Sequence, residues 1–169
     1  ACITALTLSG LSTRRFCFEG FLPADKKERK VILQILENET RTMILYEAPH
    51  HLKKTLEELY KALGNRKITL CRELTKKFET VITMTLEETL SFYEREDPRG
   101  EYVLVIEGKS LADIEKEKKD DWLEKTIEEH MSFYQNGGMD QKDAMKQVAK
   151  DRGVSKREVY NYLLKVVDK

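Results

Sequence analysis

The sequence has few glycines and no glycine-rich phosphate loop. It contains eight glycines in 169 residues, and neither a GxGxxG nor a GxxxxGK[ST] pattern occurs. Such loops need glycine because the backbone must approach a phosphate group closely. A free-standing nucleotide-binding fold of the usual kinds is therefore not expected.

Cysteine and long apolar runs are also scarce. The three cysteines, Cys2, Cys17 and Cys71, are widely spaced and odd in number. This pattern argues against a disulfide framework or a zinc site and fits a reducing cytosol. The longest purely apolar run covers residues 102–106, whereas a membrane-spanning helix needs about 20 apolar residues. We expect a cytoplasmic protein without a membrane partner.

The few histidines do not suggest a metal site. His50 and His51 are adjacent, and adjacent residues of a helix point in different directions. His130 is isolated in the sequence and is expected at the surface. No metal is predicted.

Charge is abundant and balanced overall, with 30 basic and 30 acidic residues. Its distribution is uneven, since residues 113–129 hold eight acids and four bases, whereas residues 142–165 hold seven bases and three acids. A basic end on a neutral protein suggests a polyanionic partner. A solvated helix face is the alternative.

Apolar periodicity predicts an α/β fold followed by helices. Strand-like and helix-like segments alternate through residue 108, which indicates a mixed sheet with flanking helices. Residues 111–135 have a mostly polar helical pattern, and two short helices follow around Arg152-Gly153-Val154. We predict an α/β part at 1–109, a helical linker at 110–138 and a small all-helical domain at 139–169.

Polar residues lie where the predicted strands begin or end. Glu47, Glu73 and Glu101 occupy such positions, as do Arg72 and Tyr102. Each residue alone is explained by capping or ion pairing. The set as a whole favours a binding site, because strand ends line the ligand crevice of an open sheet.

The terminal helices carry a cluster of basic residues. Lysines four residues apart lie along one helix face and could contact phosphates, while Tyr160 and Tyr162 could stack on bases. Aromatic packing with solvated lysines is the alternative. The predicted RNA-contacting residues here are Lys142, Lys146, Lys150, Arg152, Lys156 and Arg157.

Several motifs resemble the tetrapyrrole-methylase-like family of S-adenosyl-L-methionine enzymes. They are Ser9-Gly10-Leu11, FCFEGFLP at 16–23, YEAPHHL at 46–52, RELTK at 72–76 and GEYVLVIEG at 100–108. Residues 139–167 also resemble a C-terminal helical extension found in the branch that 2′-O-methylates a cytidine of 16S ribosomal RNA. The resemblance implies that residues 1–108 are the C-terminal half of the family's catalytic domain.

The resemblance implies where the cofactor and the RNA would bind. S-adenosyl-L-methionine binds between two α/β halves in the family, and the first half is not matched here. The implied cofactor residues are Glu47, Ala48, Leu74, Thr75, Glu101 and Tyr102. Glu73 or Glu47 would accept the 2′-hydroxyl proton, and Arg72 or Lys76 would hold the adjacent phosphate.

The resemblance further implies a homodimer that acts on 16S ribosomal RNA or the small ribosomal subunit. The chain begins without Met inside a helical pattern, so we expect a piece of a longer protein that is inactive alone. Two other functions stay open, namely an RNA-binding module and a relative that methylates a small molecule.

Overall fold

The computed structural model describes residues 1–167, with side chains for residues 1–165. The chain divides into two compact units, Ala1–Ser110 and Leu111–Lys169, which we call the first and second units. Among the described residues, no helix combines the length and apolar character needed to cross a membrane. Nor do they contain a group of three or more His, Cys, Asp or Glu side chains suited to hold a metal ion.

The first unit alternates strands and helices, as the periodicity predicts. Its elements are α1 (Cys2–Leu8), β1 (Phe16–Phe21), α2 (Lys26–Glu37), β2 (Thr42–Glu47), α3 (Pro49–Leu63), β3 (Lys67–Arg72), β4 (Thr80–Thr85), α4 (Leu86–Arg95) and β5 (Tyr102–Ile106).

Local sequence explains where these helices begin. Asp25 accepts hydrogen bonds from the amides of Lys27 and Glu28 and caps α2. Pro49 begins α3, where its missing N–H leaves no hydrogen bond unmade. Thr85 and Glu88 form a capping box at the start of α4.

The five strands form one mixed sheet in the order β1-β2-β5-β3-β4. β1 and β2 are parallel, whereas β5 is antiparallel to both β2 and β3. The carboxyl ends of β1, β2 and β3 therefore share one edge with the amino end of β5. This confirms the predicted mixed sheet with flanking helices.

Apolar side chains cover both faces of the sheet. One face packs on α2, α3 and α4 through a core that includes Leu45, Leu56 and Leu104. The opposite face packs on α1 through Ala5, Leu6 and neighbouring side chains. Successive strand residues point to opposite faces, so adjacent residues at a strand end enter different environments.

The second unit is all-helical, as predicted. It contains α5 (Leu111–Glu124), α6 (Ile127–Asn136), α7 (Gln141–Arg152) and α8 (Lys156–Val167). Its core includes Met131, Ala144, Val148 and Val159. Gly153 ends α7 in the left-handed conformation, with φ of 66°.

His130 is completely buried in the second unit, so the expectation of a surface position was wrong. Its ring stacks on Trp122 with centroids 3.7 Å apart. An isolated histidine in a polar stretch gave no indication of this partner.

Candidate functional site

The strand-end residues predicted from the sequence meet at one edge of the sheet. Glu47 of β2 pairs with Tyr102 of β5, and Tyr102 pairs on its other side with Arg72 of β3. Arg72 pairs in turn with Thr80 at the start of β4. Four strands thus contribute one continuous row of residues.

Two of the cavities that the described residues form near this edge are large enough to hold part of a ligand. The larger has a volume of about 630 Å³ and lies among the β1–α2 loop, α2 and α3. The smaller has a volume of about 370 Å³ and lies beside the ends of β2, β3 and β5. Phe21, which is 58% exposed, lines both cavities.

The smaller cavity combines an apolar wall with a charged rim. Tyr46, Leu74 and Val103 form part of the wall, while Glu73 and Glu101 contribute carboxylates. The Tyr46 ring is held by edge-to-face contacts with Phe18 and Phe21, at centroid distances of 5.0 and 5.7 Å. Such a cavity suits a ligand with a flat apolar group and hydroxyl or cationic groups.

Cys71 also lines the smaller cavity but is a poor nucleophile. Burial, with a smaller effect of Glu79, raises the pKa of its thiol to about 11. The reactive form of cysteine is the thiolate. Cys71 therefore contributes packing rather than covalent chemistry.

The segment after β3 has an unusual backbone. Glu73 and Thr75 have φ angles of 52° and 64°, in the left-handed region that non-glycine residues rarely adopt. The Glu79 carboxylate accepts a hydrogen bond from the Thr75 amide at 2.7 Å, and the Lys76 amide donates to the Glu73 carbonyl at 3.0 Å. Strained residues of this kind are common at binding sites.

Glu73 lies between a cation and a tight glycine turn. Its carboxylate is 3.1 Å from the Lys76 ammonium. A Cβ atom at Gly100, where φ is 73°, would be 3.3 Å from Glu73 Oε1. Glycine at this turn therefore leaves room for the carboxylate.

Arg72 and Tyr102 hold the turn before β5 against the sheet. Arg72 donates a hydrogen bond to the Arg99 carbonyl at 3.2 Å, and the Arg99 amide donates to the Tyr102 hydroxyl at 3.1 Å. The Tyr102 ring also contacts Tyr93, with centroids 6.1 Å apart. Burial and the neighbouring Tyr102 hydroxyl raise the pKa of Tyr93, so the Tyr93 phenol stays neutral.

Glu47 is buried beside the larger cavity. It is 4% exposed, and both carboxylate oxygens have partners, since Oε1 accepts from the Ala48 amide at 2.8 Å and Oε2 accepts from the Thr55 hydroxyl at 2.5 Å. Arg29 donates to Thr55 Oγ1 at 2.7 Å and to Glu58 at 2.5 Å. This chain of hydrogen bonds joins β2, α3 and α2.

The structure thus separates the predicted cofactor residues into two groups. Leu74, Glu101 and Tyr102 line the smaller cavity, together with Glu73 and Lys76. Glu47 and Ala48 line the larger cavity. Thr75 is exposed, and its hydroxyl donates to the Leu74 carbonyl, so its side chain contributes to neither cavity.

Some cavity residues were not singled out individually from the sequence. Tyr46 and Phe21 lie in quoted motifs, and the mixed aromatic and polar pattern around them was their only signal. Arg29 and Thr55 lie on helices far apart in sequence, and nothing local marks them as partners.

Most of the predicted RNA-contacting residues of the second unit are accessible. Lys142, Lys146, Lys150 and Arg157 are exposed, and Lys156 is half-buried. Lys146 forms an ion pair of 2.9 Å with Asp143, which also raises the pKa of the lysine.

Arg152 has a different environment from these lysines. It is 9% exposed, and its Nε donates to His130 Nδ1 at 3.1 Å. Its Nη2 donates to the carbonyls of Lys125 and Thr126 at 2.6 and 2.8 Å. Because its guanidinium binds within the second unit, Arg152 is not part of the proposed RNA surface.

Comparisons with known proteins identify the family of the chain. Residues 1–90 match the family model described as Tetrapyrrole (Corrin/Porphyrin) Methylases. The protein named ribosomal RNA small subunit methyltransferase I of Bacillus subtilis is 43% identical over 162 residues, which are 95% of this chain and 55% of that protein. The protein of the same name from Halalkalibacterium halodurans is 42% identical over 163 residues, with the same shares.

The chain spans about half the length of these curated relatives. A solved structure titled as the methyltransferase CobJ superposes with a TM-score of 0.47 and 19% identity, over 64% of this chain and 47% of that chain. The family match covers more than half of the sequence, and the relatives cover nearly all of it. The chain therefore belongs to the tetrapyrrole methylase family.

Proposed function

We propose that this chain is the C-terminal portion of an S-adenosyl-L-methionine-dependent methyltransferase that modifies the 2′-oxygen of a cytidine in 16S ribosomal RNA. The observation that carries the proposal is the 43% identity, over 95% of the chain, to a protein named ribosomal RNA small subunit methyltransferase I. The site geometry is consistent with it, because the predicted strand ends lie at one edge of the sheet.

The smaller cavity fits part of this cofactor. The apolar surfaces of Tyr46 and Leu74 suit the adenine ring, and the carboxylate of Glu101 suits a ribose hydroxyl or the amino group. Its volume of about 370 Å³ lies at the low end for ligand sites. The cofactor, when bound, supplies an electrophilic methyl group on a sulfonium sulfur.

Glu73 is the better candidate for the general base. Its carboxylate lies at the rim of the smaller cavity and is positioned by Lys76. Glu47 is buried, and both of its oxygens already accept hydrogen bonds. In this proposal Glu73 accepts the proton of the 2′-hydroxyl, and Glu47 fixes the backbone after β2.

In this proposal, basic residues around the site align the RNA substrate with the cofactor. Lys76 lines the smaller cavity and is exposed, so it can contact a phosphate next to the target ribose. Arg72 supports the turn at Arg99 and is partly accessible. Holding the 2′-oxygen in line with the methyl group lowers the barrier because the reacting atoms are already oriented.

The second unit is assigned to RNA binding. Exposed lysines on α7 lie close in sequence to Tyr160 and Tyr162, which are 50% and 40% exposed. Cationic and aromatic side chains together bind single-stranded nucleic acid through phosphates and base stacking. Homodimer formation belongs to the same proposal and rests on the family resemblance alone.

Methyl transfer can be tested in a chimera that joins this chain to the part of the Bacillus subtilis relative that it does not match. We expect the chimera to transfer tritiated methyl groups from the cofactor to small-subunit RNA, at a ribose of cytidine. Replacing Glu73 by Gln should lower the single-turnover rate by about 10²- to 10⁴-fold, since general base catalysis contributes that much.

Glu57→Gln is the matched control, because Glu57 is an exposed glutamate of α3. It should leave the rate unchanged. A Glu73→Gln rate equal to that of the control would remove Glu73 as the base. Methylation of a base instead of a ribose would contradict the 2′-oxygen assignment.

A further inference from the structure

The charged residues that line the larger cavity are mainly basic, and the proposed catalytic roles do not use these basic residues. Lys26, Arg29 and Lys30 of α2 line it, as do His51 and Lys54 of α3. Only two acidic residues, Glu47 and Glu58, are among the lining side chains. The positive charges come from two helices that are adjacent in space.

Both acidic side chains, Glu47 and Glu58, already have hydrogen-bond or ion-pair partners within the cavity wall. Glu58 accepts from Arg29 at 2.5 Å and lies 4.0 Å from the Lys54 ammonium. Glu47 is buried and accepts from Thr55 and from the Ala48 amide. The charge presented to a ligand is therefore positive.

Lys26 and Lys30 carry the charge that has no partner. They lie four residues apart, one helical turn along α2, and both are exposed. Neither forms an ion pair with any residue in the described part of the chain. An anion bound between them would not have to displace an existing carboxylate.

Apolar side chains on the same wall favour a nucleic acid over a simple anion. Leu22 and Leu33 line the larger cavity, and Phe21 stands at its junction with the smaller one. The Phe21 ring is 58% exposed, which leaves a face free for stacking. Lysines for phosphates beside an exposed aromatic ring are the combination that binds single-stranded RNA.

We infer that the larger cavity binds the RNA strand next to the target nucleotide, with Lys26 and Lys30 on its phosphates and Phe21 against a base. This inference rests on the proposed function and extends it to residues on the other side of β2. The two cavities share Phe21, so the larger cavity lies directly beside the place where the target ribose would meet the cofactor.

The test measures binding of a short single-stranded RNA to the whole chain at several salt concentrations. Replacing both Lys26 and Lys30 by Gln should weaken binding roughly tenfold at low salt and reduce the slope of log affinity against log salt by about 1.4, since each phosphate contact on a single strand contributes about 0.7. Replacing both by Arg should keep the slope.

Lys27→Gln combined with Lys61→Gln is the matched control. It removes the same charge from α2 and α3 at exposed residues outside the cavity lining. An equal slope in the two double variants would overturn the inference and leave the proposed function standing. Failure of the unaltered chain to bind RNA would also overturn the inference, whereas methyl transfer by the chimera tests the proposed function separately. Equal lysine-dependent binding of polyglutamate would overturn the assignment to RNA.

Discussion

At the scale of single residues, His130 shows how burial controls charge. Its Nδ1 accepts from Arg152, and its Nε2 lies 3.3 Å from Asp151 without a hydrogen-bond partner among the described residues. Protonation of His130 at Nδ1 would place its N–H against the Nε–H of Arg152, so that two donors would face each other. Burial first, and then Arg152, lowers the pKa of His130 below 6.5, with Asp151 acting in the opposite direction and Lys125 adding to the decrease.

A pH-dependent loss of stability follows from this environment. Because the unfolded chain binds a proton near pH 6.5 and the folded chain does not, the contribution of His130 is intact above that pH. It should decrease as the pH falls from 6.5 toward the lowered pKa of the folded state, by at most about 1.4 kcal/mol per pH unit. Trp122, the single tryptophan, stacks on His130 and reports unfolding by fluorescence.

His50→Gln serves as the control, since His50 is an exposed histidine of the first unit. We expect it to keep the full pH dependence between pH 7 and 5.5, whereas His130→Gln should remove that dependence. A free energy of unfolding that rises as the pH falls through this range would show that the protonated form of His130 is the more stable one in the fold.

At the scale of elements, the position of β5 is constrained by the chain segment that follows it. Its five residues are all buried between β2 and β3. Beyond the strand, the backbone amide of Glu107 donates to the Lys67 carbonyl at 2.9 Å, and the backbone amide of Lys109 donates to the Glu39 carbonyl at 2.7 Å. The backbone of Gly108 therefore passes directly against the segment before β2.

Replacing Gly108 by Ala should destabilise the first unit. The added Cβ would lie 2.3 Å from the Thr40 carbonyl carbon and oxygen, which are backbone atoms and cannot rotate away. We expect a loss of about 3 kcal/mol, measured by urea denaturation. Gly64→Ala is the comparison, because open space surrounds that position and only its φ of 75° is unfavourable.

The Gly64 variant should lose less, about 2 kcal/mol, because its φ of 75° and ψ of −166° belong to a region that alanine enters only with strain. Similar losses in the two variants would mean that the contact with Thr40 relaxes easily. In that case β5 would not be tightly constrained at its end.

Element boundaries were largely readable from the sequence. The predicted strand at 67–72 is observed at Lys67–Arg72, and the proline predicted in the first helical turn begins α3. The helical stretch at 111–135 proved to be two helices, because Thr126 and Glu129 form a capping box that starts α6. That Thr-x-x-Glu pattern was present in the sequence, but the polar surroundings obscured it.

At the scale of the whole molecule, each unit has its own hydrophobic core. The clusters on the two faces of the sheet contain only residues up to Ile106, and the helical cluster begins at Met131 among its buried residues. The first unit should therefore fold without the second. The helical linker at 110–138 and the RNA-contact domain at 139–169 stay predictions.

Expression of residues 1–110 alone tests this independence. We expect a cooperative urea transition and a far-ultraviolet circular dichroism spectrum with both helix and strand contributions. A fragment of residues 1–100, which lacks the central strand β5, should show no such transition, because β2 and β3 would lose their shared partner. Lack of a cooperative transition in the longer fragment would mean that its core is insufficient.

The sequence by itself determined the kinds of element, most of their ends and the edge of the sheet where polar residues gather, because periodicity and capping are local properties. The tertiary structure alone decided that β5 lies between β2 and β3, that Glu47 and Tyr46 point into different cavities, and that Arg152 is buried beside His130. These facts depend on strand pairing and helix packing between residues far apart in the chain, and no local pattern specifies such partners.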